Sequence, residues 1–113
     1  MADVVLAPQR INAGGIAPAR TGGLTTNDTY LVRNNGAVIL LFEKTGAGAC
    51  VVTVQTPARA GGLDVAERTF TVPATTGDVA AGPFPPSIYN DGSGDLRFTL
   101  SEVTGLTVAA LML

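Results

Sequence analysis

Thr29-Tyr30-Leu31-Val32-Arg33-Asn34-Asn35-Gly36-Ala37-Val38-Ile39-Leu40-Leu41-Phe42-Glu43-Lys44 is the stretch whose reading decides the fold. Its first five residues are rich in aromatic and branched side chains, which suit a pleated strand. Asn34-Asn35-Gly36 is a turn signal, because Asn and Gly tolerate positive φ. Ala37 to Phe42 is continuously apolar, so Ala37 to Lys44 reads as a strand covered on both faces. Thr45-Gly46-Ala47-Gly48 then turns the chain into Cys50-Val51-Val52-Thr53-Val54-Gln55. Three such segments joined by two Gly-containing links predict a β-meander.

The same pattern continues outward from that stretch. Arg68-Thr69-Phe70-Thr71-Val72 alternates cleanly and stops at Pro73, and Leu96-Arg97-Phe98-Thr99-Leu100 places Leu96, Phe98 and Leu100 on one face. The last segment has Leu106, Val108, Ala110 and Met112 on one face and Ala109, Leu111 and Leu113 on the other. One face fills a core; the other needs cover, either from a second subunit or from this chain's own loops. Fourteen Thr and twelve Val favour strand over helix. Pro57 to Glu67 and Ala74 to Asn90 read as links, with a weak helical signal at Asp64 to Arg68. The expected fold is all-β, a small sandwich or barrel of about six to seven short strands with an N-terminal extended arm.

Residues 1–26 form that arm, and residues 27–113 a single β domain. The arm is rich in Ala, Gly, Pro, Thr and Asn, as in Ile11-Asn12-Ala13-Gly14-Gly15-Ile16-Ala17-Pro18, and keeps no period. It nevertheless carries Val4, Val5, Leu6, Ile11 and Ile16, more aliphatics than a merely solvated tail needs. Two readings stand: a segment folded onto its own domain, or an arm lying on a partner chain.

Composition removes much chemistry. The 113 residues include no His and no Trp, one Cys, seven Lys or Arg and nine Asp or Glu. Without His, Ser87, Ser93, Ser101 and Cys50 lack the base that activates such nucleophiles, and Lys44 is the only lysine. No enzyme is expected, and no cofactor. Cys50 opens an apolar strand and reads as a buried structural thiol. Asn90-Asp91-Gly92-Ser93-Gly94-Asp95 alternates oxygen ligands as a calcium loop would, but Leu96 stands where that loop needs Gly. A β-hairpin turn between Ile88-Tyr89 and the Leu96 strand is the better reading, and no metal is expected. Gly22-Gly23 and Gly61-Gly62 lack the context and the Lys of a phosphate cradle.

Net charge is −2, and the seven cations are scattered singly, which argues against nucleic acid as a partner. The longest apolar run is far short of the roughly 18 residues of a membrane span. Met1-Ala2-Asp3 does not open a signal peptide, so synthesis in the cytoplasm is expected. Charged residues are only 14%, against about 25% in ordinary domains. Contacts with partners are therefore expected to be apolar and main-chain based.

Several stretches taken together resemble a known family. They are Arg68-Thr69-Phe70-Thr71-Val72-Pro73-Ala74, Gly82-Pro83-Phe84-Pro85-Pro86, Tyr89-Asn90-Asp91-Gly92, Leu96 to Ser101, and Val103-Thr104-Gly105-Leu106-Thr107-Val108-Ala109. Leu40-Leu41-Phe42 and Val51 to Pro57 add to them. They look like the small head decoration, or cement, proteins encoded beside the major capsid gene of tailed bacteriophages. The resemblance covers roughly residues 25–113, and its motifs are turns and strand ends.

It implies a structural virion protein on the outer capsid surface, bound to the major capsid protein and bridging capsomers, often as a homotrimer. Under it, Val4, Val5, Leu6, Ile11 and Ile16 are the expected capsid contact. Phe84, Pro85, Pro86, Ile88 and Tyr89 are the expected subunit interface, because Pro-fixed loops lose little entropy on ordering. The alternatives are a low-copy head–tail joining or tail accessory protein, or a β-sandwich carbohydrate-binding module. The last would need aromatic platforms, and only Tyr30 and Tyr89 are at hand alongside the Phe residues.

Overall fold

The computed structural model describes residues 3–57, 59–64 and 66–112. In chain order the strands are β1 (Asp3–Leu6), β2 (Gln9–Arg10), β3 (Thr29–Arg33), β4 (Val38–Lys44), β5 (Cys50–Val54) and β6 (Arg59–Ala60). They continue as β7 (Leu63–Asp64), β8 (Arg68–Val72), β9 (Gly77–Ala81), β10 (Asp95–Leu100) and β11 (Leu106–Met112), with one short helix, α1 (Pro86–Tyr89), before β10. Nine of these strands make a small β-sandwich. One sheet has the order β1-β3-β10-β5-β8 and the other β2-β11-β4-β9, while β6 and β7 form a separate ribbon.

Alternation explains each layer. Val38, Leu40, Phe42 and Lys44 of β4 point inward, and Ile39, Leu41 and Glu43 lie half-buried outside. Across the gap stand Val52 and Val54 of β5, Tyr30 and Val32 of β3, and Leu96, Phe98 and Leu100 of β10, all in one core. Phe98 is the hub: it stacks on Tyr30 at 5.6 Å and meets Phe42 edge-on at 5.8 Å. Such pairs add modestly to what burial already contributes. Cys50 is buried, as read.

The meander is corrected. β3 and β5 lie in one sheet with β10 between them, and β4 lies in the other. The two Gly-containing links carry the chain across the sandwich instead of closing hairpins. Face-to-face packing sets the inward residues of all three strands against one another, which side-by-side pairing cannot do. Strands β1, β2 and β9 also exceed the expected set. No helix spans Asp64 to Arg68: Asp64 ends β7 and Arg68 opens β8, with Val65 outside the described residues.

Much of the N-terminal arm is built into the sandwich. β1 runs parallel to β3, from Asp3 opposite Thr29 to Leu6 opposite Val32, and β2 runs parallel to the end of β11. Ile11 N donates to Met112 O at 2.8 Å, and Thr21 exchanges both main-chain bonds with Val108. Arg20 reaches Glu43 on the outside of the second sheet at 3.8 Å. Leu6 and Leu24 belong to the core. The outward residues Ala109 and Leu111 of β11 are buried within this one chain, at 1% and 9% exposure. Ala109 and Leu111 thus have their cover without a second subunit, while Leu113 of the same face lies outside the described residues.

Candidate docking site

β8 and β9 are the last strands of their respective sheets on one side of the sandwich. They leave the corner at Pro73–Thr76, and segment 82–89 crosses beside them. Between these parts lies a cleft of about 470 Å³, lined by Arg68, Phe70, residues 79–85, Ile88 and Tyr89. A second hollow along Thr56, Glu67, Arg68 and Thr69 shares Arg68, Ile88 and Tyr89 with it, so the two form one groove. Its floor is Phe70, Val79 and Ala81, whose other sides pack on the core. Phe70 meets Phe42 at 5.7 Å.

Three local devices hold the wall. Gly82 has φ +134, and a Cβ there would come within 2.6 Å of the Val38 carbonyl oxygen, so only glycine lets the chain leave β9 this closely. Pro85 and Pro86 open α1, a position that tolerates the missing N–H. Phe84 and Tyr89 then meet edge-on at 5.2 Å and are both buried. Behind them, Asn34 Nδ2 donates to Phe84 O at 2.9 Å and to Asn90 Oδ1 at 2.6 Å, while Asn90 Nδ2 donates to Asn34 O at 2.8 Å. This pair of amides ties the wall to the β3–β4 link.

The cleft is mainly apolar except at Arg68, whereas the adjoining hollow is lined by Thr56, Glu67 and Thr69. Arg68 Nε donates to Tyr89 Oη at 3.4 Å, and that bond raises the arginine pKa further. The expected interface residues Phe84, Pro85, Pro86, Ile88 and Tyr89 are therefore brought together. Ile88 is 38% exposed, Pro85 and Pro86 are exposed, and Phe84 and Tyr89 form the buried backing. Sequence reasoning missed Arg68, Phe70, Val79, Ala81 and Asn34. Arg68 and Phe70 share a face of β8, a signal that was present but ambiguous without knowledge of the opposing edge.

The arm residues do not converge in this way. Leu6 is in the core and Val4 packs against it, Ile11 and Ile16 are half-buried, and Val5 alone of the five is well exposed, at 76%. Val4, Val5 and Leu6 lie toward the opposite side of the sandwich, because β1 and β8 are the two ends of one sheet.

Two charge clusters lie elsewhere. The Asn90–Asp95 turn joins α1 to β10 and not two strands of a hairpin, since Ile88 and Tyr89 are helical; in it Asp91 Oδ1 accepts from Ser93 N and Asp95 N, and its Oδ2 accepts from Arg97 Nε at 2.6 Å. Arg97 is the main reason its carboxyl sits below the usual range. Arg97 also reaches Asp3 of β1 at 3.6 Å. The carboxylate is thus engaged in closing a turn and tethering the arm. Among the described residues no cluster of three or more Cys, Asp or Glu is placed to hold a metal ion.

At one end of the sandwich Lys44, with 0% side-chain exposure, pairs with Glu102 at 2.7 Å and donates to Thr104 O. The ammonium, first, and the Thr104 main chain lower the Glu102 pKa to about 2. Among the described residues no helix is long and apolar enough to cross a membrane. Comparison of the chain with protein-family models, with curated proteins and with solved structures finds no match.

Proposed function

We propose that this chain is a structural virion protein that decorates the outer surface of a bacteriophage capsid and stabilises it by bridging capsomers. One observation carries the reading. Parts of three stretches that bear the family resemblance, Arg68 and Phe70, Gly82 to Pro85, and Tyr89, line one mainly apolar cleft. A surface with few charges and an exposed apolar groove suits contacts made by shape and main chain. Repetition over a shell then multiplies weak contacts through effective concentration.

In this proposal the major capsid protein is the partner, a homotrimer is the assembly, and the virion surface is the location. Of the arm residues, Val5 is the one available for shell contact. The test is the copy number of the chain in purified particles from its source, relative to the most abundant shell protein. A ratio near one copy per shell subunit is expected. A ring's worth of copies would move the protein to the head–tail connector or the tail, and absence from the particle would overturn the reading.

A further inference from the structure

β8 ends its sheet, so no strand lies along its outer main-chain edge among the described residues. Natural edge strands are commonly guarded by charged side chains, by an internal Pro, by a bulge or by a covering loop. β8 carries one charge, Arg68 at its first residue, and no internal Pro or bulge: it reads Arg68-Thr69-Phe70-Thr71-Val72, and its register with β5 runs unbroken from Val54 opposite Arg68 to Cys50 opposite Val72. Phe70 faces inward yet stays only partly buried, with Val79 and Ala81 beside it on the groove floor. An open edge presents N–H and C=O groups that repeat about every 6.6–6.8 Å along the strand. A compact apolar ligand leaves those groups unsatisfied, whereas an extended chain pairs with them.

We propose that the β8–β9 groove binds an extended segment of the shell protein, which adds a strand to β8 and sets a carboxylate against Arg68. The inference rests on the decoration reading for the identity of the partner. Charge complementarity selects the occupant: the cleft is apolar apart from the guanidinium at its rim, so an apolar segment bearing one acid fits it. Glu67 lines only the adjoining hollow, which places that acid on the side of Phe70 and Phe84, in the cleft itself. A second copy of this chain is the competing occupant, since its own β8 edge is open too; that edge carries Arg68 and no acid, and the arm strands are spent in their own sheets, β1 on β3 and β2 on β11.

The experiment uses overlapping peptides, each about 12 residues long, covering the most abundant shell protein of the particle. They are immobilised and probed with the full-length chain. Binding is expected at a few neighbouring peptides that share alternate apolar residues and an acid. It should fall at least about tenfold in Ile88→Asp and in Arg68→Gln, with unchanged far-UV circular dichroism. A chain abundant in the particle that binds no peptide, or binds them regardless of both substitutions, overturns the groove assignment and leaves decoration standing. If Ile88→Asp dissociates an oligomer while peptide binding is unchanged, the groove is a contact between copies and the assignment also fails. Absence of the chain from the particle overturns both.

Discussion

Asn34 sits at 5% exposure in the link between β3 and β4, and its amide holds three partners at once. Its nitrogen faces two acceptors, Phe84 O and Asn90 Oδ1, and its oxygen accepts from Gly36 N at 3.0 Å. Replacing it with Leu leaves those groups unpaired and is expected to cost about 2–3 kcal/mol, measured by urea unfolding. Asn34→Asp is the sharper test. A carboxylate would oppose two acceptors in a buried site, so its folded-state pKa would be raised. The stability of this variant is then fully present below the ordinary Asp range and lost as pH rises through the folded pKa. Equal stability at pH 4 and pH 7 would mean that the side-chain nitrogen is not the group facing Phe84. Glu102 runs the other way, because its pKa is depressed to about 2 from 4.5. Its contribution is present above pH 4.5 and lost as pH falls toward 2. Asp91 is shifted in the same direction by Arg97. Wild-type protein should therefore weaken on acidification over that window, and Glu102→Gln should flatten part of the loss while Asp91→Asn flattens another part.

At the scale of the element, the first strand separates two roles that the sequence leaves mixed. Leu6 is 8% exposed and Val5 is 76% exposed, although they are neighbours with similar side chains. Leu6→Ala is expected to cost about 2–4 kcal/mol through the cavity it opens, and Val5→Ser less than about 0.5. Thermal unfolding of the two variants checks this. Under the proposed function only Val5→Ser leaves a folded protein whose shell binding reports on the arm, whereas deleting the whole arm removes an edge strand from each sheet. The alternation of Leu96, Phe98 and Leu100, or of Val38, Leu40 and Phe42, was legible because a half-buried strand repeats every two residues. β9 was not, since Gly77-Asp78-Val79-Ala80-Ala81 has small side chains and only one β-branched residue. β1 and β2 were also hidden, because parallel edge pairing depends on strands far away in sequence. The links were read correctly as turns, but a turn residue does not state whether the chain returns beside its strand or crosses to the opposite sheet. The groove inherits that limit: Pro85, Ile88 and Tyr89 could be named from a Pro-rich loop, while Phe70 and Val79 join them only through sheet order.

At the scale of the molecule, the charges are few and several are spent internally. Arg97 serves Asp91 and Asp3, Arg33 pairs with Asp95, and the one lysine lies inside against Glu102. What remains at the groove is the Arg68 guanidinium on a mainly apolar cleft, with Glu67 along the adjoining hollow. Exposed ion pairs contribute little and are screened by salt, whereas main-chain pairing and apolar burial are not. Under the proposed function, binding to the shell should therefore change less than about threefold in Kd between roughly 0.05 and 0.5 M monovalent salt. Sulfate, which strengthens apolar burial, should tighten it. Titrating labelled protein onto stripped particles over that range is the measurement. A steep loss of affinity with salt would mean that several charge pairs carry the contact, which this surface does not provide near the groove. The contact would then have to be sought where the exposed cations and anions of the arm lie, beside Arg10 and Arg20.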